Sequence, residues 1–142
     1  MSVRKEGFNV SRKIPQHPTQ LELQILKLLW VESPCTARQI REALAANGRD
    51  LAHTSVITTL QKMVEKQQLK QLDPVQGKAF RFSPRLTEDA VSSGMLGDLV
   101  NRVFDGSAEA VMLSLFDVSD LDEDDLKRLR RVFNEKLREK RQ

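Results

Sequence analysis

Three helical stripes followed by two short strand-like segments occupy residues 19–86, and this order constrains the fold more than any other feature. Residues 19–22 read Thr-x-x-Glu, a capping box that predicts the start of a helix. The apolar face of this helix is formed by Leu23, Ile25, Leu26, Leu29 and Trp30. Ser33-Pro34 is expected to end it, because a proline disfavours helical backbone at the residue before it.

Two further helices follow. The second begins at Thr36 and ends at Asn47-Gly48, where glycine suits the left-handed position after a helix. The third should begin after Asp50, its predicted N-cap, and run to about Gln67. Its residues 54–59 are mostly β-branched, which favours a strand. Its apolar residues nevertheless recur at i, i+4, i+7 and i+8, the spacing of an amphipathic helix: Val56, Leu60, Met63 and Val64.

A β-hairpin is predicted after the third helix. Residues 69–72 and 79–83 alternate like strands, and the segment DPVQGK supplies the turn between them. Phe80 and Phe82 are expected on one face of the second strand, with Arg81 on the other. Three helices and a hairpin in this order predict a winged helix-turn-helix domain, in which the hairpin is the wing.

The remaining residues, 87–142, are predicted to be helical throughout, with Asp122 capping the last helix. Their apolar stripes have too few partners within one chain, so we expect a homodimer to bury them. The predicted dimerisation residues are Leu96, Leu99, Val103, Leu115, Phe116, Leu126, Leu129, Phe133 and Leu137. The overall prediction is a mainly α protein with a small β-hairpin: a disordered basic arm (1–18), a winged-helix domain (19–86) and a helical dimerisation domain (87–142).

Charge is distributed unevenly along the chain. The net charge is +3, but the first 86 residues hold +7 and the remainder −4. A basic front half is typical of a protein that binds a polyanion, although ordinary surface scatter remains an alternative. One cysteine excludes an internal disulfide and suits a reducing compartment. No apolar run approaches the ~18 residues of a membrane span and no signal peptide is recognisable, so a cytoplasmic protein without a membrane partner is expected.

The outer face of the third helix is the predicted site for reading DNA bases. At about 100° per residue, Thr54, Thr58, Gln61 and Lys62 lie opposite the apolar stripe, with Ser55 at the edge. Short hydroxyl side chains let a helix approach base edges in the major groove, and glutamine and lysine can bond to them. The alternative is the ordinary polar face of a packed helix.

Seven basic or titratable side chains around this helix are candidates for phosphate contacts. They are Arg38, Arg41, Arg49, His53, Lys78, Arg81 and Arg85. Each one alone is more often a solvated surface charge, so the prediction concerns the group.

No constellation for catalysis or cofactor binding is recognisable. The sequence lacks a Walker loop, a zinc motif and a nucleophile elbow, so we expect neither an enzyme nor a cofactor or metal. The acidic run SDLDEDDL lacks the glycine and terminal glutamate of a calcium loop and suits a helix N-terminus. Cys35 is either a small buried residue or an oxidisable thiol.

The segments PTQLELQILKLLW, SPCTARQIREAL, LAHTSVITTLQKMVEKQQL and GKAFRFSP resemble the BlaI/MecI/CopY penicillinase-repressor family in order and spacing. The resemblance implies a winged-helix domain and a helical dimerisation domain that bind palindromic operators and repress transcription in bacteria. It places Thr54, Ser55, Thr58, Gln61 and Lys62 on the family's DNA-reading helix. Ile57 stands where some members have arginine, which implies one base contact fewer.

Three departures from the family pattern bear on cap geometry and signalling. Gln67 replaces the glycine that usually ends the third helix, which implies a strained or reshaped cap. The tail has no Cys-x-Cys pairs, which argues against copper sensing. In the β-lactam branch of the family a sensor protease cuts an Asn-Phe bond, and Ser114-Leu115 stands at that position here. Inactivation by cleavage is therefore not expected. Neither the signal nor an upstream sensor protein is identified.

Two other functions compete with repression. One is a winged-helix adaptor that binds protein rather than DNA, and the other is a redox-sensing regulator that uses Cys35. The outer face of the third helix separates the first alternative from DNA binding, because an adaptor would present apolar residues there. On the sequence, Ile57 is the one apolar residue expected to interrupt that face.

Overall fold

The structure, a computed structural model, describes residues 17–142, so the predicted arm lies almost wholly outside the described residues. The helices are α1 (Gln20–Val31), α2 (Ala37–Ala46), α3 (His53–Glu65), α4 (Glu88–Val103), α5 (Ala108–Val118) and α6 (Glu123–Arg141). The strands are β1 (Cys35–Thr36), β2 (Leu69–Leu72) and β3 (Arg81–Pro84). The described chain divides into two compact units between Met95 and Leu96.

Reciprocal capping boxes begin α1 and α2, as the sequence predicts for the first. In α1 the Thr19 hydroxyl accepts from the Glu22 amide at 3.2 Å, and the Glu22 carboxylate accepts from the Thr19 amide at 3.0 Å. Thr36 begins α2 in the same way with Gln39 as its partner. The predicted end of α2 is confirmed, because Gly48 follows it at a φ of 89°.

α3 begins later than predicted but ends near Gln67, as expected. Its N-cap is Ala52, which provides no side-chain hydrogen bond, so the assignment of Asp50 as the cap is wrong. Leu51 packs against the core instead, and the chain turns into the helix only after it. At the other end, Gln67 lies at a φ of 65°, and the Gln68 amide donates to the Met63 carbonyl at 2.8 Å. This is a Schellman motif with glutamine in the left-handed position that glycine prefers, which confirms the expectation of an unusual cap.

The strands form one antiparallel sheet in the order β1-β3-β2. In β3, Arg81 pairs with both Leu72 of β2 and Thr36 of β1. The ladder starts at Arg81, two residues later than predicted, and this leaves Phe80 outside it. Phe82 is 4% exposed whereas Phe80 is 46% exposed, so only Phe82 of this pair joins the core.

One apolar core holds the first unit together, with side chains from each of its helices and from both strands of the hairpin. It consists of Ile25, Leu26, Leu29, Ala37, Ile40, Leu44, Val56, Leu60, Met63, Leu69, Phe82 and Val91. Trp30 packs against this core and its indole N–H donates to the Leu86 carbonyl at 2.8 Å. Three helices, a short strand and a hairpin around one core confirm the winged helix-turn-helix fold. Val91 belongs to α4, so the unit extends beyond residue 86.

The second unit contains the end of α4 with α5 and α6. Asp122 caps α6 as predicted, and Ser107 caps α5. Val111 is buried, but α6 buries none of its residues within the described chain. Most of the predicted dimerisation residues are therefore exposed: Leu96, Leu99, Val103, Leu115, Phe116, Leu126, Phe133 and Leu137. Leu129 is partly exposed. No helix in residues 17–142 is both long and apolar enough to cross a membrane.

Candidate nucleic-acid interface

α3 has one buried face and one open face. Val56, Leu60 and Met63 are completely buried in the core. The five predicted base-reading residues are all exposed, and they are Thr54, Ser55, Thr58, Gln61 and Lys62. The remaining exposed residues of the helix, His53 and Glu65, are also polar.

The other β-branched residues of α3 do not interrupt the open face. Ile57 is half-buried and packs against the core, so the expectation that it would be an apolar exception there is wrong. Thr59 is half-buried too, and its hydroxyl donates to the Ser55 carbonyl at 2.9 Å. The β-branched run thus serves two purposes, because some of its side chains pack inwards while the threonines at 54 and 58 present short polar groups outwards.

A hollow of about 470 Å³ at the junction of α2 and α3 collects three of the predicted phosphate contacts, Arg38, Arg41 and His53. Glu42 and Asp50 line the same hollow, so its charge is mixed. Arg38 forms an exposed ion pair with Glu42 at 3.2 Å. The Arg41 Nε–H donates to the Leu51 carbonyl at 2.9 Å, which secures the turn that leads into α3.

Arg49 lies apart from this group. It is half-buried and donates to the side-chain oxygen of Gln24 at 3.3 Å. With Lys27 it lines a separate, smaller hollow beside α1. The structure therefore does not bring all the predicted phosphate contacts into one cluster.

The other three lie on the wing, Lys78 and Arg81, or just after it, Arg85. Gln76 and Gly77 have φ values of 52° and 75°, and the Lys78 amide donates to the Val75 carbonyl at 3.1 Å, as in a type I′ turn. Lys78 is exposed, as is Arg85 beyond the wing. Arg81 is half-buried, and its guanidinium donates to the Asp73 carbonyl at 3.4 Å. This hydrogen bond links the two strands of the wing near the turn.

A buried polar group at the far end of α3 was not predicted. Glu22 is only 4% exposed, and its carboxylate accepts from the Lys66 ammonium at 2.7 Å and from the Gln68 side-chain amide at 3.3 Å. Burial acts to raise the pKa of Glu22, but these hydrogen bonds, the Thr19 amide and the charge of Lys66 outweigh it, and the pKa is lowered. The capping box identified Glu22, but no local pattern links it to a lysine 44 residues away.

Cys35 has the environment of a protonated thiol. Its Sγ donates to the Glu32 carbonyl at 3.2 Å. Burial and, to a smaller extent, the negative charge of Glu32 raise the pKa of the thiol. A redox-sensing cysteine needs the opposite shift, towards thiolate. Residues 17–142 contain no group of three or more His, Cys, Asp or Glu side chains arranged to hold a metal ion.

Comparisons with known proteins bear on the family of the chain. Residues 18–135 match the penicillinase repressor family. The transcriptional regulator BlaI of Mycobacterium tuberculosis is 34% identical over 117 residues, which is 81% of each chain. The methicillin resistance regulatory protein MecI of Mammaliicoccus sciuri is 20% identical over 115 residues, covering 81% of this chain and 91% of MecI.

A solved structure of a Lactococcus lactis ZitR mutant aligns over 100% of this chain and 99% of its own, with 16% identity and a TM-score of 0.36. That value is too low to bear on the fold, which rests on the elements described above. The family match over most of the chain and the similarity to BlaI are decisive, and both agree with the expectation of a regulator and not an enzyme. The chain belongs to the penicillinase repressor family.

Proposed function

We propose that the chain is a cytoplasmic transcriptional repressor that binds a palindromic operator in double-stranded DNA as a homodimer, with the open face of α3 in the major groove. One observation carries the proposal beyond family membership: every exposed residue of α3 is polar, whereas its opposite face is completely buried. An adaptor that bound protein through this helix would be expected to present apolar residues there.

The side chains on the open face suit the donors and acceptors of the major groove. Gln61 can bond to adenine through both groups of its amide, and Lys62 can reach guanine or a phosphate. The methyl groups of Thr54 and Thr58 can meet thymine methyls, and their short side chains allow close approach. Lys78, Arg85 and Arg41 are exposed and can neutralise phosphates, which adds salt-dependent affinity without sequence preference.

The second unit supports dimerisation. Its helices leave an apolar groove of about 360 Å³ lined by Met112, Leu115, Phe116, Leu121, Leu129 and Phe133. Apolar surface of this kind is unusual on a soluble monomer, and a second copy would cover it. A two-fold axis would then present two α3 helices to half-sites about one DNA turn, ~34–36 Å, or a multiple of it apart.

DNA binding can be tested by fluorescence anisotropy with the duplex upstream of the chain's own gene and a scrambled duplex of equal length. Affinity for the first should fall by orders of magnitude between ~50 and ~200 mM salt if 6–10 phosphates are contacted. Gln61→Ala should change base preference by ~1–3 kcal/mol, whereas Lys78→Ala should weaken binding to all sequences similarly. Equal affinity for both duplexes, or binding that is insensitive to salt, would contradict the proposal.

Dimerisation can be tested by sedimentation at micromolar concentration. The wild-type chain should sediment as a dimer, and Leu129→Ala with Phe133→Ala should yield monomers that bind the operator much more weakly, since each truncation of a buried side chain costs ~2–5 kcal/mol. Val31→Ala is the matched control, because Val31 is 89% exposed in the first unit. A monomeric wild-type chain would contradict the dimer, as would a double variant that still binds the palindrome tightly.

A further inference from the structure

A small hollow between α1 and the end of α2 brings two basic side chains together away from the DNA-reading helix. Its volume is about 190 Å³, and it is lined by Gln24, Lys27, Leu28, Leu44, Asn47 and Arg49. Leu44 is buried and Leu28 is half-buried, so part of the lining is apolar. None of the residues that the structure places around this hollow belongs to α3 or to the hairpin.

The two cations of the hollow have no counter-charge. Neither Lys27 nor Arg49 forms an ion pair within residues 17–142. None of the residues three or four positions from Lys27 on α1 is acidic, and Asp50 lines the other hollow, at the junction of α2 and α3. Arg49 is half-buried, so its guanidinium has lost part of its hydration without gaining an anion. An anion from solution would offset that loss.

Arg49 is held in place by its backbone and by its side chain. Its amide donates to the Leu44 carbonyl at 2.8 Å, and the Gly48 amide donates to the Ala45 carbonyl at 3.0 Å, which together form a Schellman motif after α2. One guanidinium nitrogen donates to the side-chain oxygen of Gln24 at 3.3 Å. A guanidinium has further N–H donors that this bond does not use. The group is therefore already oriented and can donate to a ligand.

The carbonyl groups at the end of α2 would repel an anion if they were free. The Ala43 carbonyl accepts from the backbone amide of Asn47 at 3.2 Å and from its side-chain amide at 3.1 Å. The Leu44 and Ala45 carbonyls accept the bonds of the Schellman motif. These bonds occupy the last carbonyls, and the side chains that line the hollow carry two positive charges and no negative charge.

We propose that this hollow binds a small organic acid, whose carboxylate bonds to Arg49 and Lys27 and whose short apolar group lies against the two leucines. A guanidinium can donate two parallel N–H bonds to a carboxylate. The apolar part of the lining favours an organic acid over an inorganic anion. A water molecule occupies about 30 Å³, so the hollow accommodates about six groups of that size, which is the size of butyrate. The site requires no DNA and is independent of the proposed function.

Two-dimensional NMR of the ¹⁵N-labelled full chain tests the site with butyrate as the probe. At constant ionic strength, butyrate should shift the side-chain amide signals of Gln24 and Asn47 and the backbone signal of Arg49 saturably, with a Kd of ~1–10 mM. Butyramide has the same apolar group without the charge and should cause no saturable shift. Inorganic phosphate should bind more weakly than butyrate, because it gains nothing from the leucines.

Variants of the two cations assign the binding. Arg49→Gln should raise the Kd for butyrate about tenfold, because it removes hydrogen bonds from a charged donor. Lys27→Gln should raise it only about threefold, because Lys27 is exposed. Lys70→Gln removes an exposed cation from β2 and is the matched control, which should bind butyrate as the wild-type chain does. Thermal unfolding establishes that each variant is folded, and the exposed Lys27 provides a second test if Arg49→Gln is not.

Several results would overturn the inference: no saturable shift with butyrate, an equal shift with butyramide, tighter binding of phosphate, or wild-type affinity of Arg49→Gln for butyrate. Arg49 is also among the predicted phosphate contacts. If Arg49→Gln made the salt slope of DNA binding shallower by about one, the side chain would belong to a DNA phosphate and the inference would fail. The NMR titrations contain no DNA, so their failure would leave the proposed function intact.

Discussion

Replacing Glu22 by glutamine would isolate one hydrogen bond between the start of α1 and the end of α3. One carboxylate oxygen of Glu22 accepts from the Thr19 amide and the Gln68 side chain, and the other accepts from Lys66. Glutamine has almost the same shape, and its amide oxygen can keep the first two bonds. Its NH₂ group would face the Lys66 ammonium, so only the charged bond is lost.

The expected cost follows from the burial of the pair. A hydrogen bond to a charged group contributes ~1.5–3 kcal/mol. The Glu22 side chain is 5% exposed, but that of Lys66 is 34% exposed and can turn to water, which places the loss near ~2 kcal/mol. For a unit of this size, that corresponds to a melting temperature lower by ~10 °C. Glu42→Gln is the matched control, because its ion pair with Arg38 is well exposed and should contribute at most ~1 kcal/mol.

The stabilisation that Glu22 provides is expected to depend on pH. The pKa of Glu22 is lower in the folded chain than its ordinary value. A lowered folded-state pKa stabilises the fold above the unfolded-state pKa, and this stability is lost as the pH falls through the folded-state value. The difference in unfolding free energy between wild type and Glu22→Gln should therefore be full at pH 7 and shrink below about pH 4.

Urea denaturation at pH 7 and at several acidic pH values measures this difference directly. A double-mutant cycle with Lys66→Met should assign most of it to the pair. If Glu22→Gln unfolds within ~0.5 kcal/mol of wild type at pH 7, the Lys66 bond does not stabilise the fold. A difference that stays constant into acid would show that the carboxylate charge is not its source.

Three other outcomes can be checked separately. Gln67→Gly should stabilise the first unit by about 1 kcal/mol, since the left-handed backbone at φ 65° suits glycine; a lower denaturation midpoint would contradict this. Cys35→Ser should leave DNA affinity unchanged in reducing and mildly oxidising buffer because burial raises the pKa of the thiol, and a loss of regulation would support the redox alternative. The Ser114–Leu115 bond lies inside α5, where backbone is poorly suited to proteolysis, so β-lactam exposure of the host should yield no fragment that begins at Leu115 in mass spectrometry.

Local periodicity was sufficient to predict the helices of the first unit. Val56, Leu60 and Met63 recur at helical spacing, and the core buries all three completely. The same reasoning placed the polar residues of α3 opposite them. The β-branched run did not override this pattern, because tertiary burial of one face outweighs the small differences in helix propensity.

Features that depend on distant partners could not be predicted in this way. The two residues of β1 are too few to show alternation, and the start of β3 depends on the pairing of Arg81 with Leu72 and Thr36. Asp50 is a suitable cap by residue type, but packing of the neighbouring Leu51 moves the start of α3 beyond it. Which phosphate candidates also bond to the protein, such as Arg49 with Gln24, is likewise a property of the folded chain.

The last turn of α3 has more stabilising hydrogen bonds than the first turn. Beyond Met63 the Schellman bonds hold the backbone, and the Glu22 carboxylate accepts from the side chains of Lys66 and Gln68. At the start Ala52 supplies no side-chain bond, and the Arg41 bond to the Leu51 carbonyl holds the turn before the helix rather than its first turn. Amide hydrogen exchange should therefore slow along the helix, because the free energy of local opening rises from the first turn to the last. Thr54 and Ser55 lie on the looser turn and must lose conformational entropy to engage a ligand, whereas Gln61 and Lys62 stand on backbone that is already ordered.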